Sequence, residues 1–134
     1  MKDLRQRLLA TFRAEYAEHV ARIRELLSEF EARGGASAGP NLDETFRRAH
    51  SLKGAARAVD LRELEALAHR LEALLARVRE GALELSPAVS RVIHEVLDSA
   101  DDLMAALARG DAAPDSSAAL AALDRLLVSE ATAP

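Results

Sequence analysis

The run Phe46-Arg47-Arg48-Ala49-His50-Ser51-Leu52-Lys53-Gly54 gathers groups that can do chemistry. On a helix, Lys53 and Gly54 fall one turn beyond His50, on nearly the same face. A histidine ring is mostly neutral at pH 7 and then offers a nucleophilic nitrogen. Lys53 sets an ammonium beside that ring. Gly54 removes bulk where a second molecule would approach, although glycine costs ~1 kcal/mol relative to Ala in a helix interior. A neutral imidazole, a neighbouring cation and an open approach suit transient phosphorylation of the ring, because phosphoryl transfer relies on positioning and charge stabilisation. The same residues also describe a half-buried structural histidine beside an exposed lysine, so the rest of the chain has to separate the two readings.

Other chemistries are narrowed by what is missing. The chain has four histidines, His19, His50, His69 and His94. A carboxylate-bridged di-iron bundle needs Glu three residues before His on two helices. The residues at those places are Tyr16, Arg47, Ala66 and Arg91, so the motif is absent. With no Cys, disulfides, thiolate chemistry and Cys-ligated zinc are excluded. No Walker-type or kinase-type nucleotide loop occurs.

The elements that would hold these residues are helical. The chain carries 29 Ala and 22 Leu against 7 Val, 2 Ile and 3 Thr, in 134 residues. Helix formers thus far outnumber β-branched residues. Glycine and proline divide the chain at Gly34, Gly35, Gly39 and Pro40, at Gly81 and Pro87, and at Gly110 and Pro114. A first helix of ~45 Å from about Asp3 to Arg33 carries one apolar stripe: Leu4, Leu8, Phe12, Tyr16, Val20, Ile23, Leu27 and Phe30. A second begins at Asn41, which with Glu44 reads as a capping box. Asp60 with Glu63 reads as the cap of a third, reaching about Val78. Ser86 before Pro87 is a good start for a fourth, reaching about Leu107. A short fifth helix spans about 117–128. The expected fold is all-α: an antiparallel four-helix bundle (core 1–109) with a short fifth C-terminal helix, the domain covering 1–128 and residues 129–134 forming a tail or linker.

If helices two and three form a hairpin turning near Val59 and Asp60, His50 sits level with His69, and Glu72 lies one turn further on. A carboxylate there could accept the proton of one ring nitrogen of His50 and leave the other to react. Plain packing for His69 and plain solvation for Glu72 fit the pattern equally. Residues 41–58 hold Arg47, Arg48, Lys53 and Arg57 against Asp43 and Glu44. That basic stretch on a chain of net charge −4 favours an acidic or phosphate-bearing partner.

The acidic balance and only four aromatic residues argue against nucleic-acid binding. No apolar run approaches the ~20 residues of a membrane span, and a secretory leader is not evident, so neither a membrane role nor export is expected and the location expected is cytoplasmic.

Ala49-His50-Ser51-Leu52-Lys53-Gly54-Ala55-Ala56 resembles the phosphorylation motif of histidine-containing phosphotransfer (HPt) domains. Leu67-Ala68-His69-Arg70-Leu71-Glu72 resembles the second motif of the HPt domains that begin chemotaxis-type histidine kinases, the CheA family. The likeness extends over roughly 1–109. It implies that His50 is the phospho-acceptor, that Lys53 contacts the phosphoryl group and that Gly54 gives access. It implies that His69 and Glu72 form a hydrogen-bond network behind the imidazole. It also implies two partners, a histidine kinase catalytic domain and the receiver domain of a response regulator. ATP and magnesium would be supplied by those partners, with no cofactor or metal in this chain. The chain would then be the acceptor domain of a larger kinase or a free-standing carrier. One departure is Asp60, where the family often has Gly. The competing readings are a non-catalytic helical interaction or dimerisation module and a metal-binding bundle.

Overall fold

The computed structural model describes residues 2–33 and 40–132. The glycine break at 34–39 and the last two residues of the expected tail lie outside them. Five helices run through the described residues: α1 (Lys2–Ala32), α2 (Pro40–Ala58), α3 (Arg62–Arg79), α4 (Pro87–Arg109) and α5 (Ser117–Thr132). α1 packs on α2 and α4, and α3 packs on the same two, which closes a four-helix ring; α5 lies against α3 and α4. Within the ring, α1 and α2 run antiparallel. Glu18, Arg22 and Glu29, rising along α1, meet Arg48, Glu44 and Asn41, falling along α2.

The apolar stripes predicted from periodicity form the core. Ile23 and Leu27 of α1, Leu52 of α2, Leu71 and Leu75 of α3, and Ile93 and Leu97 of α4 are essentially fully buried. Leu123 brings α5 into the same core. Two stripe positions depart from expectation: Leu4 and Leu8 are 60% and 48% exposed. α1 has 31 residues and α2 has 19. At about 1.5 Å per residue, α1 outruns its partner by several turns. The stripe therefore enters the core only at Phe12.

The helix ends explain the loops. Ser86 caps α4, its hydroxyl accepting from the Val89 amide at 3.2 Å, with Pro87 next in the chain. The capping box at Asn41 does not form. α2 already includes Pro40, whose fixed φ suits a first turn. The Asn41 side chain instead donates to Glu29, and Glu44 takes a two-pronged contact from Arg22 at 2.8 and 2.9 Å. A charged fork outcompetes a return to one backbone amide. The fifth helix continues to Thr132, past the expected end at 128.

Asp60 does not cap α3. The residue before α3 is Leu61, and no side chain caps it. Asp60 closes α2. It has φ +60°, its amide donates to Arg57, and the Leu61 amide donates to Ala56. The same pair of bonds, over the same intervals, ends α3 around Gly81 and α4 around Gly110, both glycines at positive φ. All three are the left-handed closure that favours glycine. Asp60 occupies it at a steric cost that only Asn and Asp moderate. A glycine at this position would meet no such cost. Asp60→Gly should raise stability by up to ~1 kcal/mol, after glycine's greater unfolded-state freedom offsets part of the relieved strain. The exposed Asp60–Arg62 pair contributes little to the balance. A urea midpoint that moves upward with unchanged slope is the expected result.

Candidate functional site

The site lies on the seam between α2 and α3. On α2, Ala49, Leu52 and Ala56 face the core. That face turns His50 outward, with its side chain 63% exposed, and leaves Lys53 on the shoulder, 25% exposed. On α3, Leu71 and Leu75 are buried on either side of Glu72, whose side chain is only 13% exposed. Glu72 bridges the two α2 residues. One carboxylate oxygen pairs with Nδ1 of His50, and the other accepts from Nζ of Lys53 at 2.6 Å.

Burial works against ionisation of Glu72, but the hydrogen bonds from Lys53 and His50 prevail and hold its carboxyl below the usual range. An ionised carboxylate can only accept. The shared proton therefore sits on Nδ1 of His50, and in the neutral ring the lone pair is on Nε2, a tautomer assigned from its partner. Gly54 is exposed, and a Cβ built on it would meet nothing within 4 Å. Close packing therefore does not require glycine there, and the space over Gly54, one turn beyond His50, is open.

His69 does not join this network. It is exposed, and no hydrogen bond to it occurs among the described residues. It lines a shallow groove with Arg57, Asp60, Arg62, Glu65 and Arg70. The reason is the tilt of helical side chains toward their own N-terminus. On α2 that tilt carries the imidazole away from the interhelical turn; on α3 it carries Glu72 back toward it. The side chains meet about a turn beyond the backbone register, so Glu72 takes the level expected for His69.

Arg48 leaves the expected basic rim as well. Its guanidinium turns to α1, against Glu18 and the His19 ring. Burial, then the Arg48 charge, lowers the His19 pKa from the usual histidine value. Two residues outside the expected site flank it. The Phe46 ring is stacked beside the His50 ring, with centroids 6.4 Å apart and planes 13° apart. The Arg79 guanidinium sits 3.9 Å from the Phe46 centroid. The place of Phe46 four residues before His50 is the signal that the sequence offers for this contact.

Residues 7–103 match the family described as Hpt domain. The chain belongs to that family. It is 37% identical over 90 residues to the chemotaxis protein CheA of Halobacterium salinarum, covering 67% of this chain and 13% of that protein. It is 36% identical over 72 residues to the chemotaxis protein CheA of Cereibacter sphaeroides, covering 51% of this chain and 10% of that protein. The alignments thus span about an eighth or less of the relatives' length. The Hpt match carries the histidine-phosphotransfer character of the chain, and its helical bundle agrees with it. Among the described residues, no group of three or more His, Asp or Glu is placed to hold a metal ion. No helix among them is long and apolar enough to cross a membrane.

The depressed Glu72 pKa has a pH consequence of fixed sign. Its stabilisation is complete above the ordinary value of 4.5 and is lost as pH falls through the lower folded-state value. Glu72→Gln should lower stability at pH 7 by up to about 1 kcal/mol, as for a partly exposed charged hydrogen bond. Below pH 4 the gap between variant and parent should narrow. Paired urea titrations at pH 7 and pH 3.5 measure both effects.

Proposed function

We propose that His50 of this phosphotransfer domain takes a phosphoryl group on Nε2 from a histidine kinase catalytic domain and passes it to an aspartate of a response-regulator receiver domain. The observation that carries the reading is the bond from His50 Nδ1 to Glu72. It leaves Nε2 as the lone-pair nitrogen on a ring that is mostly exposed.

In the forward step the Nε2 lone pair attacks the terminal phosphorus of ATP. An N–P bond forms as the P–O bond to ADP breaks. The ring gains positive charge while Nδ1 keeps its proton. Glu72 faces that proton and stabilises the charge as it develops, a preorganised interaction of the kind that lowers a barrier. The lysine ammonium on the other Glu72 oxygen holds the carboxylate in place and adds positive charge near the arriving phosphoryl oxygens. In the return step the receiver's carboxylate oxygen attacks phosphorus, the N–P bond breaks, and His50 recovers its neutral ring. Magnesium and nucleotide belong to the partners in this scheme, and the chain contributes the positioned imidazole. A cytoplasmic location accompanies the proposal, since ATP is the donor.

The direct test is His50→Gln. The variant should keep the helical circular-dichroism spectrum of the parent and lose all acid-labile, base-stable labelling by a chemotaxis-type kinase domain with ATP and magnesium. Retained labelling in the folded variant would sink the assignment.

Gly54 gives a second, steric test. Gly54→Ala should fold and gain up to ~1 kcal/mol, because the added Cβ enters open space on an exposed helix face. Gly54→Leu should also fold but accept label at least tenfold more slowly, about 1.4 kcal/mol of barrier, since the larger side chain occupies the approach to the ring. Normal labelling of Gly54→Leu would show that access is not controlled there.

A further inference from the structure

The Nδ1–Glu72 bond holds the His50 ring only while that bond is intact. The terminal torsion of a histidine side chain has a broad, shallow profile, so rotation about Cβ–Cγ can swing Nδ1 off the Glu72 oxygen. Nε2 would then sweep through a range of angles. In-line attack on phosphorus needs the nitrogen lone pair aligned, so a swinging ring loses rate, and with Nδ1 off Glu72 it loses its set tautomer as well.

A second restraint is present on the side of the ring toward the start of α2. The Phe46 ring lies nearly parallel to the imidazole, at a plane angle of 13°. Phe46 is half-buried and packs on the core, which restrains its Cα–Cβ orientation. Its ring is covered by the guanidinium of Arg79, 3.9 Å from the centroid, a cation–π contact between the last turn of α3 and the first half of α2. Arg79 is exposed, and no carboxylate pairs with it among the described residues. Its guanidinium lies instead on the aromatic face. Along the seam the groups run Arg79, Phe46, His50, Glu72, Lys53, with the imidazole held between a parallel ring and a carboxylate.

We infer that Arg79 is a positioning residue for His50: by covering the Phe46 ring it fixes the plane of the imidazole, so that Nε2 meets a phosphoryl donor at one angle. The inference rests on the reading of His50 as phospho-acceptor. It gives the last turn of α3 a part in the reaction, although Arg79 stands seven residues beyond Glu72 and touches no reacting atom.

The test uses the intact chain and two readouts. The first is the pattern of ring proton–nitrogen couplings of His50 in the ¹⁵N-labelled protein. The second is the rate at which His50 is labelled by phosphoramidate, a small donor that needs no docking surface. Arg79→Ala should move the His50 tautomer ratio toward that of an unrestrained imidazole and slow labelling about two- to fivefold, the range expected from an exposed cation–π contact. Arg79→Lys, which keeps a cation over the ring but loses the flat guanidinium, should recover part of both. Phe46→Leu should reproduce Arg79→Ala, and the double variant should add nothing further, because the two residues act in series. Unchanged ring couplings and an unchanged rate in Arg79→Ala would overturn the inference. Additive losses in the double variant would also overturn it, by showing that Arg79 acts without Phe46. A parent chain that takes no label at His50 would overturn the phospho-acceptor reading instead, and the ring couplings would still decide the role of Arg79.

Discussion

One carboxylate, Glu72, organises the seam between α2 and α3. It spans two helices, satisfies an ammonium with one oxygen and holds an imidazole with the other. Both jobs require it to be ionised while mostly buried. Burial alone would favour the protonated acid, and the Lys53 contact reverses that preference. Lys53 is therefore as much a condition of the His50 tautomer as Glu72 is. Remove the ammonium and the carboxyl becomes easier to protonate; a protonated carboxyl can donate to the ring and reverse which nitrogen carries the lone pair.

The rest of the bundle serves the register of that bridge. α2 and α3 share the largest helix–helix contact in the fold, and their turn is only a few residues long. Ala49, Leu52 and Ala56 on one side and Leu71 and Leu75 on the other lock the two helices at fixed height. Such close-packed interfaces do not slide by fractions of a turn. α1, α4 and α5 complete the burial of the faces opposite the site. Their ion pairs, such as Arg24 with Asp98 and Asp101, sit away from His50.

Much of this was legible in the sequence, and the failures have physical causes. The stripes located the helices, and the run from His50 to Gly54 located the seam on which the Glu72 bridge forms. Glu72 was found because hairpin geometry brings it near. His69 was misplaced because side chains lean along their helices, which a count of backbone levels ignores. Asp60 was read by its side chain, as a cap, when its backbone decided its role. Asn41 and Glu44 were read as partners of the local backbone, when helix α1 supplied Glu29 and Arg22. Leu4 and Leu8 look like core because periodicity reports a face and not how far the neighbouring helix extends. The cation–π contact between Arg79 and Phe46 joins residues more than thirty positions apart, and nothing in the local pattern announces it.

The left-handed closure at Asp60 has a bearing on how the molecule comes into being. It makes the α2–α3 hairpin a local structure, with its principal contacts between residues some twenty positions apart. Closing so short a loop loses little chain entropy. Local contacts of this kind favour rapid folding. The bridge of His50, Lys53 and Glu72 depends on that one hairpin, so its geometry can be drafted in a nascent chain before α4 and α5 have been synthesised. The later helices then make it durable by burying the hairpin's apolar side.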